Sequence, residues 1–151
     1  MHDISSTLQL STSPSLDFCI GLAKASAALS RRLDGHLGTL HGLSFGDFAL
    51  LLQLGRAPQG KLRRVDLAET LGLTASAVTR ALIPLEKIGL VTRERDVHDA
   101  RVGYAALTRS GRRILEQSLV TAQAVSADGV RDINAESLRW LVELMDGLSS
   151  K

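Results

Sequence analysis

Cysteine occurs once in this 151-residue chain, at Cys19, which excludes an intramolecular disulfide framework and any centre built from several thiolates. Aromatic residues are scarce as well: three Phe, one Trp and one Tyr make up 3% of the sequence. The core must then come from Leu, Ala, Val and Ile, a mixture that favours helices over a β-sandwich. No apolar run approaches the roughly 18 to 20 residues of a membrane crossing, and the first residues lack the basic-then-apolar order of a secretion signal. The cytoplasm is therefore the expected compartment, with no membrane partner. Also missing are a Gly-rich phosphate loop after a strand, a Cys/His pair with a third member, and paired carboxylates. These absences argue against an enzyme. The histidines, His2, His36, His41 and His98, show no metal-ligand spacing, so neither a metal nor another cofactor is expected.

What is present suits one compact protomer. Hydrophobic residues make up 44% and charged residues 23%, which excludes disorder and low complexity as the main state. Charge is distributed unevenly. From Lys61 to Arg113 the chain carries eleven basic and six acidic residues, a net of +5, so the remainder of a chain whose total is +2 carries −3. A basic centre between acidic arms points to a polyanionic partner.

Residues 1–14 are rich in Ser and Thr, end at Pro14 and read as a flexible arm. From Ser15, an N-cap after Pro14, the residues Leu16, Ile20, Ala23, Ala27, Leu33, Leu37 and Leu40 predict a long helix ending near Gly42. Ser44 with Asp47 three positions on forms a capping box for a second helix carrying Phe48, Leu51, Leu52 and Leu54. Two short helices follow, Arg64 to Leu71 and one capped by Thr74, separated by a turn at Gly72. This spacing predicts a helix-turn-helix. After Gly89 the period shifts toward two: Leu90–Arg95 and Val102–Leu107 read as strands joined by the polar stretch Asp96 to Arg101. Thr108 opens a long helix, and Asn134 caps a last one. The predicted fold is mainly α, a winged helix-turn-helix with a small β-hairpin wing.

In the second short helix Val78, Leu82 and Leu85 turn inward, which leaves Thr74, Ser76, Thr79, Arg80 and Ile83 outward. Short hydroxyls and one Arg on such a helix suit the base edges and phosphates of a DNA major groove. The hairpin adds Arg93, Arg95 and Arg101, and an Arg at a hairpin tip suits the minor groove. Asp99, two residues before Arg101, is placed to orient its guanidinium. Arg63 and Arg64 extend the candidate DNA-binding set, and double-stranded DNA is the expected partner.

The stretch from Val65 to Arg80, then Leu85-Glu-Lys-Ile-Gly-Leu-Val91, Asp96-Val-His-Asp-Ala-Arg101 and Leu107-Thr-Arg-Ser-Gly111 resembles the MarR family of bacterial transcriptional regulators, with its spacing kept. The resemblance implies a homodimer that binds a pseudo-palindromic operator and acts as a ligand-responsive repressor. It assigns 15–43 and 109–151 to dimerisation and 44–108 to DNA binding, with Ser76 to Arg80 reading the major groove and Asp99 and Arg101 forming the wing-tip pair. Two positions depart from the family pattern. Ala100 stands where Arg is frequent, which implies a weaker wing tip, and Pro84 falls inside the recognition helix, where it implies a bend.

The resemblance also marks regulatory candidates. His36, His41, Phe45 and Phe48 fall where family members hold small aromatic or phenolic effectors, against the plainer reading of polar residues near a helix end. Cys19 falls near the reactive cysteine of the peroxide-sensing branch, but its expected neighbours Leu33, Phe45 and Phe48 carry no hydroxyl to poise a thiolate. A buried structural thiol is expected instead of a redox site. The alternatives to a ligand-responsive regulator are a thiol-based redox sensor using Cys19 and a winged-helix module that binds protein; the second would need an apolar outward face.

Overall fold

The computed structural model describes residues 10–151, and the first nine residues of the expected arm, His2 among them, lie outside the described residues. The elements, in order, are α1 (Pro14–His41), α2 (Phe45–Arg56), a short 3₁₀ turn (Pro58–Gly60), β1 (Lys61–Arg63), α3 (Arg64–Leu71), α4 (Ala75–Lys87), β2 (Val91–Arg95), β3 (Gly103–Leu107), α5 (Arg109–Gly129) and α6 (Ala135–Ser149). None of the helices among the described residues is long and apolar enough to cross a membrane.

Local chemistry sets the boundaries. The cap of α1 is Ser13, not Ser15: its hydroxyl accepts from the Leu16 N–H, and Pro14 takes the first helical position, where its missing N–H costs nothing. Gly42 closes the helix in the left-handed conformation, φ 68°. The capping box of α2 forms as expected, with Ser44 Oγ accepting from the Asp47 N–H at 3.0 Å and Asp47 Oδ2 accepting from the Ser44 N–H at 3.1 Å. Thr74, Thr108 and Asn134 cap α4, α5 and α6. Helix α4 runs through Pro84 to Lys87; three residues from its end the proline leaves only the Arg80 carbonyl without its intrahelical donor.

The sheet has three antiparallel strands in the order β1-β3-β2, with Leu62 opposite Ala105 and Arg93 opposite Ala105 on the other side. β1 escaped the sequence pattern because three residues are too short a run to establish an alternation. One core joins Leu33 and Leu37 of α1, Phe48, Leu51 and Leu54 of α2, Leu67 of α3, Val78, Leu82 and Leu85 of α4, and Leu115, Ala122 and Val125 of α5. Helix α6 buries none of its residues, and α1 leaves Leu16, Phe18 and Ile20 of its first half and Leu29 near its middle exposed.

Candidate nucleic-acid interface

Helices α3 and α4 meet across a tight turn. Gly72 adopts φ 65°, and the Leu73 N–H closes on the Ala68 carbonyl at 2.9 Å. Only glycine takes that conformation without a penalty from a Cβ. Thr74 Oγ1 then accepts from the Ala77 N–H at 3.1 Å and starts α4. With Val78, Leu82 and Leu85 at 0–2% exposure, the helix is rotated as its periodicity predicts: Thr74, Ser76, Arg80 and Ile83 are exposed and Thr79 is half-buried. The outward face is thus hydroxyls, one guanidinium and one aliphatic group.

The wing tip is organised by two carboxylates. Asp96 Oδ1 accepts from the backbone N–H groups of His98 (2.8 Å) and Asp99 (3.0 Å), and Oδ2 accepts from the Tyr104 hydroxyl at 3.2 Å. Asp99 Oδ1 accepts from both the backbone N–H and Nε of Arg101 at 3.0 Å, while Oδ2 accepts from Nη2 at 3.1 Å. The fork therefore holds a guanidinium whose side chain is 91% exposed. The backbone N–H groups of His98 and Asp99 hold Asp96 below the usual carboxylate range, and the Arg101 side chain does the same for Asp99. Asp96 was not among the sequence candidates, although an Asp opening a polar tip is an ordinary signal for such a turn.

The arginines of this lobe are not equivalent. Arg63 is held by Asp66 through Nε–Oδ2 at 2.7 Å and Nη2–Oδ1 at 2.9 Å, and Arg93 by Glu86 at 2.6 Å. Both charges are locally neutralised. Among the described residues, Arg64, Arg80 and Arg95 have no carboxylate within 4 Å and carry uncompensated charge, whereas Arg101 is paired with the Asp99 that aims it.

The regulatory candidates are placed differently from expectation. Cys19 is exposed, not buried, and Leu33 lies fourteen residues further along α1, about 20 Å at the helical rise. The expected thiol packing therefore does not form within the chain. Phe48 is buried in the core and stacks on Phe45 with ring centroids 6.5 Å apart. His41 Nε2 lies 2.8 Å from Thr121 Oγ1, tying α1 to α5. His36 instead faces an open groove of about 430 Å³, also lined by Arg32, Leu40, Val120, Thr121 and Asp128. His41, Phe45 and Phe48 do not line that groove. Among the described residues, no three His, Cys, Asp or Glu side chains gather as a metal site.

The family model described as MarR family matches residues 41–102, from the end of α1 to the wing. The helix-turn-helix transcriptional regulator YdgJ of Bacillus subtilis strain 168 is 30% identical over 104 residues, 69% of this chain; the chain spans 62% of that relative's length. Sco3205, a MarR family regulator from Streptomyces coelicolor solved in complex with DNA, superposes with a TM-score of 0.83 at 27% identity, covering 93% of this chain and 92% of that one. The transcriptional regulator BldR from Sulfolobus solfataricus gives 0.79 at 30% identity, with 91% and 96% covered.

Proposed function

The chain belongs to the MarR family, and from that premise we propose that it is a transcriptional regulator that binds a pseudo-palindromic DNA operator as a homodimer. One observation carries the reading: the outward residues of α4 and the Asp99-held guanidinium of Arg101 belong to one lobe, the first shaped for a major groove and the second for the adjacent minor groove. Residues 44–108 form that lobe. Residues 15–43 and 109–151 supply the dimer body, because α6 and the first half of α1 expose Leu16, Phe18, Ile20, Trp140 and Val142. An apolar surface of that extent needs a cover, and a two-fold copy offers the same surface in return.

Two copies of α4 then address half-sites one helical turn apart, and occupancy of the operator represses the neighbouring gene. A small aromatic or phenolic effector releases the complex by binding better to a dimer whose recognition helices are wrongly spaced. The α1–α5 groove beside His36 gives such a molecule an apolar wall next to the Arg32–Asp128 ion pair. The test is fluorescence anisotropy on the chain's own upstream DNA against a scrambled duplex, titrated with salt. Selective binding that falls steeply with salt supports the reading; equal, weak binding to both duplexes overturns it in favour of a protein-binding winged helix.

A further inference from the structure

Gly103, the first residue of β3, lies opposite Arg95 of β2. The Arg64 guanidinium lies across it: a Cβ at position 103 would sit 2.9 Å from Arg64 Nη2 and 3.6 Å from both Cζ and Nε. The Nη2 end of the group thus comes closer than a Cβ at position 103 would tolerate, while Cζ and Nε lie at ordinary contact distance. Arg64, Arg95 and Arg101 line one cavity of about 230 Å³ beside the wing tip. Its lining also includes Arg93 and Glu94, but Arg93 is held by Glu86, and Glu94 has Lys61 Nζ at 3.3 Å.

Neither Arg64 nor Arg95 has a carboxylate within reach among the described residues, and the Arg101 fork is its only one. Two uncompensated guanidinium groups lining one small cavity repel one another until an anion enters. We infer that Gly103 is a positioning residue that lets Arg64 lie beside Arg95, and that these two arginines, next to the Asp99-held Arg101, seat one backbone phosphate of duplex DNA. The inference rests on the DNA-binding reading above and deepens it: this seat holds the wing in register and reads no base.

The geometry also supplies a clean perturbation. The nearest obstacle to a Cβ at position 103 is the far end of a flexible side chain, so Gly103→Ala displaces Arg64 and leaves the fold in place. R64A, G103A and the double variant are compared with the wild-type chain by anisotropy on a random-sequence duplex, where phosphate contacts dominate. Thermal unfolding checks folding in parallel. R64A is expected to lower the salt slope by about 0.9 for each engaged seat, so its deficit against wild type shrinks about 3.5-fold per seat between about 50 and 200 mM salt.

G103A is expected to reproduce most of that loss, and the double variant to bind no more weakly than R64A alone. Additive losses in the double variant, or a G103A protein that binds like wild type, would overturn the positioning role. An unchanged slope in R64A, or in R95A if G103A unfolds, would overturn the seat. A wild-type chain that binds no duplex at low salt would instead remove the DNA reading and the seat with it.

Discussion

Replacing Gly111 with alanine tests how α5 is joined to the recognition lobe. Gly111 is buried in the first turn of α5, and a Cβ there would lie 2.0 Å from the Leu90 carbonyl oxygen and 2.8 Å from Leu107 Cδ1. A close carbon–oxygen contact is about 3.3 Å, so the two backbones must part by about 1.3 Å. The obstacle is backbone, which no side-chain rotation relieves. Overpacking of this kind costs about 3 kcal/mol at the upper end of its usual range, and the better helix propensity of alanine returns about 1. The net of about 2 kcal/mol lowers the Tm of a chain this size by about 4–8 °C. Gly72→Ala is the comparison, because nothing lies within 4 Å of its Cβ and only the left-handed φ of 65° opposes it. That costs about 1 kcal/mol, or about 2–4 °C. Differential scanning fluorimetry at equal protomer concentration gives both values. A G111A protein that melts at or above wild type would refute the close approach as a constraint on α5.

Three further outcomes are expected. Arg101→Ala weakens operator binding about tenfold without altering the dimer, and Asp99→Ala gives a smaller loss because the guanidinium stays but is no longer aimed; anisotropy that ranks them in the opposite order contradicts the fork's role. Truncation before Asn134 removes α6 and with it Trp140, and sedimentation is expected to show monomers or aggregates; a soluble truncated dimer would place the interface elsewhere. Asp96 and Asp99 are held below the ordinary carboxylate range, so their contribution to wing order is complete above about pH 4 and is lost as pH falls through their lowered values. Carboxyl NMR titration should accordingly show both ionised at neutral pH, and a midpoint at or above the ordinary Asp value for either would refute the hydrogen-bond assignment.

Much of the fold was legible because its ends are written in local chemistry. Ser44 with Asp47, Thr74, Thr108 and Asn134 each announce a helix start, and Gly42 and Gly72 announce stops. The rotation of α4 was equally readable, since Val78, Leu82 and Leu85 define its buried side alone. Less legible was what covers each apolar face. Leu16, Ile20, Leu33 and Leu37 share one helical period in α1, yet only Leu33 and Leu37 are buried in the chain. Periodicity records that a face is apolar and says nothing of whether its own chain covers it, which is why Cys19 reads as buried and is found exposed. The arginines show a similar limit. Residue type marks Arg63, Arg64 and Arg93 alike, and only the geometry shows Asp66 and Glu86 neutralising two of them.

On the proposed function, the junction at Thr108 is the link between the dimer body and the DNA-binding lobe. The Thr108 hydroxyl lies within donating distance of the Gly89 carbonyl (2.6 Å) and the Leu90 carbonyl (3.1 Å) and accepts from the Gly111 N–H at 2.9 Å, while the Thr108 N–H donates to Leu90 at 3.1 Å. Gly89 and Leu90 follow the Ile88 cap of α4, and the Leu90 N–H returns to the Leu85 carbonyl at 3.0 Å. The start of α5 is thereby tied to the end of α4 by short polar contacts with a glycine packed between the backbones. Further along, α5 contacts α1 through His41 and Thr121, beside the groove lined by His36. These contacts predict that a shift of α5 against α1 is passed on to α4. In a dimer built on α1, α5 and α6, that shift changes the separation of the two recognition helices, the quantity on which two half-sites discriminate.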